Sequence, residues 1–283
     1  MTRFQQHGLA LAALLGLASL TNAHAARLQI VATGTAVDVL TQSATIDGVV
    51  ASRSATGGLL DASGADTLLL SDFQAFDPST QAGASVSDGY SHLVAIDASG
   101  ASTSLTMDAS HFWQASGSGH IDAFELTQSL SLDGLTLRVV ADAGETLGQS
   151  VTVSFSGLAD FLLNGAAGTH DLALSLDVLR GGDTVASHLG LQTGSASESV
   201  NLSFAGVVGD EFTVLLSAFQ SALLTQAVTL DGTTEFASNV MLQGQFTVAA
   251  VPEPASWGLG LGGLLVAGLL ARGRRGQRIG LLA

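Results

Sequence analysis

The chain between residues 26 and 250 is dominated by positions that alternate between apolar and short polar side chains. The clearest runs are Val151–Phe155, Leu172–Val178, Val200–Phe204 and Phe212–Leu216, in which every second residue is apolar and most residues between are short and polar. A period of two with one apolar face is typical of an antiparallel strand that is buried on one side. These runs therefore predict strands.

Turn signals separate many of the alternating runs. Asp-Gly, Asn-Gly and Gly-Gly pairs tolerate the positive φ that tight hairpins need. They occur at Asp47-Gly48, Gly57-Gly58, Asp88-Gly89, Asp133-Gly134, Asn164-Gly165, Gly181-Gly182 and Asp231-Gly232. Asp97–Ser104 and Ser116–Gly119 have the composition of loops. Many strands, frequent turns and no repeat of fixed period predict an all-β protein, an antiparallel β-sandwich or jelly roll.

One stretch of this body has a helical rather than an alternating pattern. Phe219, Leu223 and Leu224 would share a helix face, which predicts a short helix over Ser217–Gln226. We expect residues 26–250 to form one domain. Two smaller sandwiches that meet near Ala141–Gly148 are the alternative.

The first 25 residues have the pattern of a secretory signal peptide. Arg3 precedes an apolar run from Gly8 to Leu20, and Ala23 and Ala25 supply the small residues of an A-x-A cleavage site. We expect cleavage after Ala25 and export of the mature chain. An uncleaved membrane anchor is the alternative.

The C-terminal segment, residues 251–278, combines three blocks. Val251, Pro252, Glu253 and Pro254 form a stiff, extended peptide, because each proline fixes φ and restricts the residue before it. Ala255–Ala271 carries no charge and is just long enough to cross a bilayer as a helix. Trp257 would lie at the outer interface, and four arginines would stop transfer: Arg272, Arg274, Arg275 and Arg278. A buried core helix is the alternative to a transmembrane helix.

This order of blocks closely resembles the PEP-CTERM sorting domain of Gram-negative bacteria. The resemblance implies that Pro252, Glu253 and Pro254 are recognised by an exosortase, a membrane protease-like enzyme, and that the arginines retain the precursor in the inner membrane. It also implies release to the cell surface or to an extracellular matrix of exopolysaccharide, as in biofilms. The resemblance covers about 25 residues and leaves the body unassigned.

Composition excludes several kinds of site. The chain has no cysteine, which removes thiol nucleophiles, iron–sulfur clusters and cysteine-based zinc sites. The formal net charge is −15, and Arg3 and the four C-terminal arginines lie outside the body. The body is thus strongly acidic, which argues against nucleic acid as a partner.

Two kinds of metal site remain as weak alternatives. His111 and His120 flank the Gly117 region, with Asp108 and Asp122 nearby, and these four side chains could converge on a metal. The acidic loops Asp61–Asp66 and Asp72–Asp77 could supply oxygen ligands to Ca²⁺. Solvated loops and scattered histidines are the commoner explanation, so we predict no cofactor.

No catalytic motif stands out. The chain has no G-x-S-x-G elbow, and its body glutamates, Glu125, Glu145, Glu198, Glu211 and Glu235, show no spacing that favours a pair. Trp113 could stack on a sugar, but we expect it in the core. Asn201-Leu202-Ser203 matches an N-glycosylation pattern within a predicted strand, where a chance match is the simpler interpretation.

These patterns favour a non-enzymatic protein of the cell surface or matrix. A calcium- or carbohydrate-binding module and an exported hydrolase with a dispersed site are the alternatives.

Overall fold

A computed structural model describes residues 26–57, 67–75, 79–142, 145–165, 168–224 and 226–251. These residues form strands and connections, without a helix among them. The strands are β1 (Arg27–Ile46), β2 (Val49–Gly57), β3 (Thr67–Ala75), β4 (Ser79–Gln81), β5 (Ala84–Asp97), β6 (Thr103–Val140), β7 (Ser150–Gly165), β8 (Thr169–Arg180), β9 (Asp183–Gln192), β10 (Ala196–Val207), β11 (Glu211–Leu224) and β12 (Val228–Ala250).

Strand β6 is the element that connects the whole architecture. Its first part, residues 103–121, pairs with β12 on one side and with β5 on the other. Its second part, residues 121–140, pairs with β1 and β11 instead. One continuous strand therefore belongs to two groups of neighbours.

We call these two groups sheet I and sheet II. Sheet I has the order β10-β7-β12-β6-β5, with β3 and β4 both paired to β5. Sheet II has the order β2-β1-β6-β11-β8-β9. All the described pairings are antiparallel, as the alternating sequence pattern predicts.

The apolar faces of the two sheets pack against each other. Val153 and Val240 of sheet I share a buried cluster with Leu174 and Leu216 of sheet II. The predicted all-β, antiparallel, sandwich-like fold is thus confirmed. The four strands predicted from the clearest alternation correspond to β7, β8, β10 and β11.

The helix predicted over Ser217–Gln226 is wrong. Residues 217–224 continue β11, which pairs with β6 and β8 on its two sides. Ala218, Ala222 and Leu224 point inward and are buried, whereas Phe219 and Leu223 are exposed. The strand alternation is present here, but its inward positions carry small or polar side chains that hide it from a hydrophobicity pattern.

The turn signals are only partly correct. Asp47-Gly48 joins β1 to β2, and Gly181-Gly182 joins β8 to β9. Asp88-Gly89 lies inside β5, Asp133-Gly134 inside β6 and Asp231-Gly232 inside β12. A glycine-containing pair within a long strand does not reverse the chain, and in some cases it marks an irregularity of the ladder. The β1–β6 pairing, for example, omits Gly34 and Gly134, and both have positive φ.

Ser116–Gly119, predicted as a loop, is where β6 leaves sheet I for sheet II. Gly117 and Gly119 have φ values of 142° and 141°, which side chains rarely adopt. A Cβ on Gly119 would also collide with the carboxylate of Asp47 in the β1–β2 turn. The glycines thus allow the crossing and the close docking of this turn.

The predicted signal peptide, with Ala23 and Ala25, lies outside the described residues. The same holds for Pro252, Glu253, Pro254, Trp257 and the arginines at 272, 274, 275 and 278. Val251 is described, and its backbone nitrogen donates to the Ser150 carbonyl at 3.0 Å. In the portion of the chain that is described, no helix has the length and apolarity needed to cross a membrane.

Candidate functional site

The four residues considered for a metal site do not come together. His111 points into the interior and is 2% exposed. Asp108 accepts hydrogen bonds from Ser110 (2.7 Å) and Asn239 (2.6 Å) on the opposite face of the same sheet. Asp122 accepts from the Gly48 backbone at 2.7 Å, and the backbone of His120 donates to Asp47 at 2.9 Å. The alternation of β6 separates His111 from Asp108 and makes a shared metal impossible.

Nor do other described residues offer a metal site. No group of three or more His, Asp or Glu side chains in that part of the chain could hold an ion. Asp61–Asp66 lies outside the described residues. Asp72–Asp77 is not the predicted loop, because Asp72–Ala75 belong to β3.

Within the described part of the chain, most of the buried polar side chains form a layer that crosses the sandwich, which we call the polar layer. Eight polar side chains form it, all at most 7% exposed. They are Asp38 and Gln42 on β1, Asp88 and His92 on β5, His111 and Gln128 on β6, Gln220 on β11 and Ser238 on β12. Six of the eight lie between the two hydrophobic clusters of the core, whereas Gln42 and Asp88 are flanked on both sides along their strands by residues of the second cluster.

The first hydrogen-bonded chain in the polar layer is centred on Asp38. His92 Nδ1 lies 2.9 Å from Asp38 Oδ2, and Gln128 Nε2 donates to the same oxygen at 3.1 Å. Gln220 Nε2 donates in turn to Gln128 Oε1 and, at 3.5 Å, to the carbonyl of Ala109. Since His92 and Ala109 belong to sheet I and the others to sheet II, this chain connects the sheets.

A second chain runs from Arg53 to His111. Arg53 forms an ion pair with Asp88 at 2.9 Å, and Gln42 Nε2 donates to the other Asp88 oxygen at 2.8 Å. Gln42 Oε1 lies 2.9 Å from His111 Nε2 and accepts its proton in the neutral imidazole. This second chain also joins the two sheets, because Arg53 and Gln42 belong to sheet II and Asp88 and His111 to sheet I.

Burial changes the titration of two groups in this second chain. It lowers the pKa of His111 to about 3, because a buried imidazolium would lose its hydration. Burial also raises the pKa of Asp88, and Arg53 and Gln42 oppose that effect by stabilising the carboxylate. His111 is therefore neutral at ordinary pH.

The polar layer has chemical groups that catalytic sites use, but a substrate has no open path to them. His92 and Asp38 have the contact found between the histidine and aspartate of a hydrolase triad. Both side chains are fully buried, so a substrate could reach them only if the sheets separated. The arrangement is that of a structural network that fixes how the two sheets face each other.

The polar layer was not predicted from the sequence, although a signal was present. Along β6, Gln128 takes the inward position between Leu126 and Leu130, and His111 does so between Ala109 and Trp113. A single polar residue at an inward position of an alternating strand indicates a buried hydrogen bond. The partners could not be predicted, because they depend on how the sheets face each other.

Trp113 is in the core, as predicted. It is 2% exposed, and its ring centroid lies 4.9 Å from that of Phe124. It lines a small apolar cavity with Ile121, Phe124, His170, Leu224 and Phe236. The Trp113 face is thus occupied by protein rather than open to a sugar.

The outward face of sheet I carries short ladders of polar side chains. Cross-strand pairs hydrogen bond at Gln114–Glu235 (2.6 Å), Ser156–Asn201 (3.2 Å) and Ser154–Ser203 (3.3 Å). Asn201, the potential glycosylation residue, is exposed within β10, the strand predicted for it. These pairs leave a hydroxyl- and amide-rich surface.

The outward face of sheet II is rich in hydroxyl groups. Thr41 and Thr127 hydrogen bond across β1 and β6, and Ser175 and Ser217 do so across β8 and β11 at 3.0 Å. Charge is concentrated toward the strand ends, as in the Arg138–Glu211 pair. Both faces can therefore offer hydrogen bonds to a polymer with many hydroxyl groups.

The glutamates considered for hydrolysis are dispersed and mostly engaged. Glu145 accepts from the Ala26 backbone at 2.9 Å, and Glu198 contacts His188 at 3.0 Å. Glu211 forms an ion pair with Arg138, and Glu235 accepts a hydrogen bond from Gln114. Glu125 lies on the outward face of sheet II.

Comparison with known proteins identifies no family. No family model matches the chain. No curated protein matches it either. Among solved structures it is similar to the CBM22-1 xylan-binding domain of Xyn10C from Paenibacillus barcinonensis, at 15% identity over 64% of this chain and 87% of that one, with a TM-score of 0.16. It is also similar to a structure of infectious bursal disease virus Gt strain, at 13% identity over 80% and 67% of the two chains, with a TM-score of 0.20. Superpositions this poor carry no argument about function.

Proposed function

We propose that this chain is an exported, non-enzymatic structural protein of the cell surface or extracellular matrix. Its C-terminal segment would direct sorting by an exosortase, after a transient inner-membrane stage. Support for this route comes from the sequence: a signal peptide that ends at Ala25, and the V-P-E-P block with its apolar run and arginines.

The observation that carries a structural role is the distribution of polar groups. Inside the polar layer, His92 contacts Asp38 directly, and Gln42 connects His111 to Asp88. The outward faces carry Ser, Thr, Asn and Gln side chains in cross-strand pairs. Such faces suit repeated, weak contacts with a hydrated polymer better than they suit one catalytic centre.

Sorting is tested by replacing Pro252, Glu253 and Pro254 with alanine in the full chain expressed in its own host. We expect full-length precursor to accumulate in the inner-membrane fraction. A matched control replaces three exposed residues of β2, Ser52, Ser54 and Thr56, with alanine and should be processed normally. Unchanged processing and release of the first variant would refute the sorting proposal.

A binding role is the second candidate. It is favoured by the hydroxyl-rich outward face of sheet II, on which the ring of Phe219 is exposed.

A further inference from the structure

Phe219 occupies an unusual position on the outward face of sheet II. It lies in the middle of β11 and is 37% exposed. Among the Phe, Tyr and Trp side chains that the structure describes, it is the most exposed. An aromatic ring at the centre of a sheet is costly to expose unless something covers it.

The neighbours of Phe219 are all short. Its cross-strand partners are Ser129 on β6 and Ala173 on β8. Along β11 the same face carries Ser217 and Ser221. The ring therefore stands above its surroundings, and a flat molecule could lie against it.

The surface around this ring has hydroxyl groups and little charge. Thr127, Ser131 and Ser175 lie diagonally from Phe219 on the neighbouring strands. The nearest carboxylate on this face in register terms belongs to Asp171, which pairs with Ser221. Asp171 lies at the same diagonal distance from Phe219 as Ser175 does, so the patch has one carboxylate beside the ring. Together with the net charge of −15, this carboxylate disfavours an anionic partner.

Apolar groups continue in the same row across the sheet. The register places Leu191, Ala173, Phe219, Ser129 and Val39 side by side on five adjacent strands. Leu191 is 65% and Val39 41% exposed. Each lies two strand spacings from Phe219, about 9.5 Å, which is close to the length of a disaccharide unit.

We propose that this row is a binding subsite for a neutral polysaccharide, with one pyranose ring stacked on Phe219. The glycan chain would run across the strands, so that C–H faces of sugar units contact Leu191, Phe219 and Val39. Hydroxyl groups of Ser129, Ser217 and Ser221 would exchange hydrogen bonds with sugar hydroxyls. The inference rests on the proposed function, since it names the matrix component that the protein contacts.

The test is affinity gel electrophoresis of the purified body, residues 26–251, in gels containing hydroxyethylcellulose or a mixed-linkage β-glucan. Both neutral polymers are probes, and alginate is the anionic comparison. We expect at least one neutral polymer, and not alginate, to retard the wild-type protein. Phe219→Ala should weaken that retardation at least tenfold, and Phe219→Tyr should keep it.

Leu158→Ala is the matched control, because Leu158 is similarly exposed, at 44%, but lies on β7 in sheet I. It should bind as the wild type does. Circular dichroism and thermal melting should show that all variants are folded. The same two measurements on the wild type show whether residues 26–251 fold alone. If they do not, the full-length precursor in detergent is used for every variant.

Three results would overturn the subsite. They are no retardation by either neutral polymer, equal retardation of wild type and Phe219→Ala, and a dimer in sedimentation that only Phe219→Ala dissociates. The last would show that a second copy covers this face. None of these results bears on processing at Pro252–Pro254, so failure of the subsite and failure of the sorting proposal remain distinguishable.

Discussion

His92 and Asp38 meet across the interior of the sandwich, with His92 Nδ1 2.9 Å from Asp38 Oδ2 and both side chains fully buried. His92 belongs to β5 of sheet I and Asp38 to β1 of sheet II. The contact makes the relative position of the two sheets depend on a polar interaction. A buried pair of this kind loses much when only one partner is removed.

The first prediction concerns Asp38→Ala. This change removes the acceptor of both His92 and Gln128, and we expect the free energy of unfolding to fall by about 3 kcal/mol or more. The double variant Asp38→Leu with His92→Leu should be more stable than Asp38→Ala, because it leaves fewer buried polar groups without partners. Urea denaturation measures both. Asp38→Leu and His92→Leu alone complete the cycle, and a double-variant loss equal to the sum of these two single losses would show that the residues do not act as a pair.

The second prediction concerns pH. The pKa of His111 is about 3 in the folded protein and 6.5 when unperturbed. Between these pH values, His111 binds a proton in the unfolded chain but not in the folded protein. Stability should therefore fall as the pH drops below 6.5, by up to about 1.4 kcal/mol per pH unit from this residue. Asp88 acts in the opposite direction, because its raised pKa favours the folded state at low pH.

His111→Gln isolates this contribution. The variant should show a shallower loss of stability between pH 6.5 and pH 4 than the wild type, measured by urea midpoints at each pH. Its stability at pH 7 reports the separate cost of repacking. Identical slopes for the two proteins would mean that His111 is protonated in the folded state.

The third prediction concerns the crossing of β6 between the sheets. Gly119→Ala should lower stability by about 1–3 kcal/mol, because the backbone there has φ of 141° and a Cβ would meet Asp47. Gly194→Ala is the control, since nothing lies within 4 Å of its added Cβ. Thermal melting compares them, with about 2–4 °C expected per kcal/mol for a body of this size. Equal melting temperatures would contradict the strained crossing.

The fourth prediction separates the core tryptophan from the proposed sugar contact. Trp113→Ala should cost about 3–5 kcal/mol, because it leaves a cavity beside Phe124 and Phe236. Trp113→Phe should cost less and leave polysaccharide retardation unchanged. If a folded Trp113→Phe variant lost retardation, sugar binding would depend on Trp113, and the proposed contact at Phe219 would be wrong.

The strands were predicted correctly where the sequence showed both a period of two and large apolar residues at the inward positions. In β7, β8 and β10 large apolar residues alternate with Ala or with short polar residues, so the strands and their inward faces could both be predicted. In β11 the inward positions from Ala218 to Ala222 are small or polar, and a helical spacing of Phe219 and Leu223 misled the prediction. Pairing with β6 and β8 decided the outcome there.

Long-range features could not be predicted in the same way. The 38-residue length of β6 was hidden by its glycines, which normally indicate turns. The polar layer depends on which inward residues of sheet I face those of sheet II, as with Gln42 and His111, which are 69 residues apart. Phe219 became informative only once its short neighbours on β6 and β8 were known.

The position of β12 determines how the body would respond to tension. This strand ends at Ala250 and is hydrogen-bonded to β6 on one side and β7 on the other. A pull applied at Val251 along the strand axis would load these two ladders in shear, so many hydrogen bonds would have to break together rather than one after another. A body held by that end in a flowing or growing film would resist extraction of its own last strand.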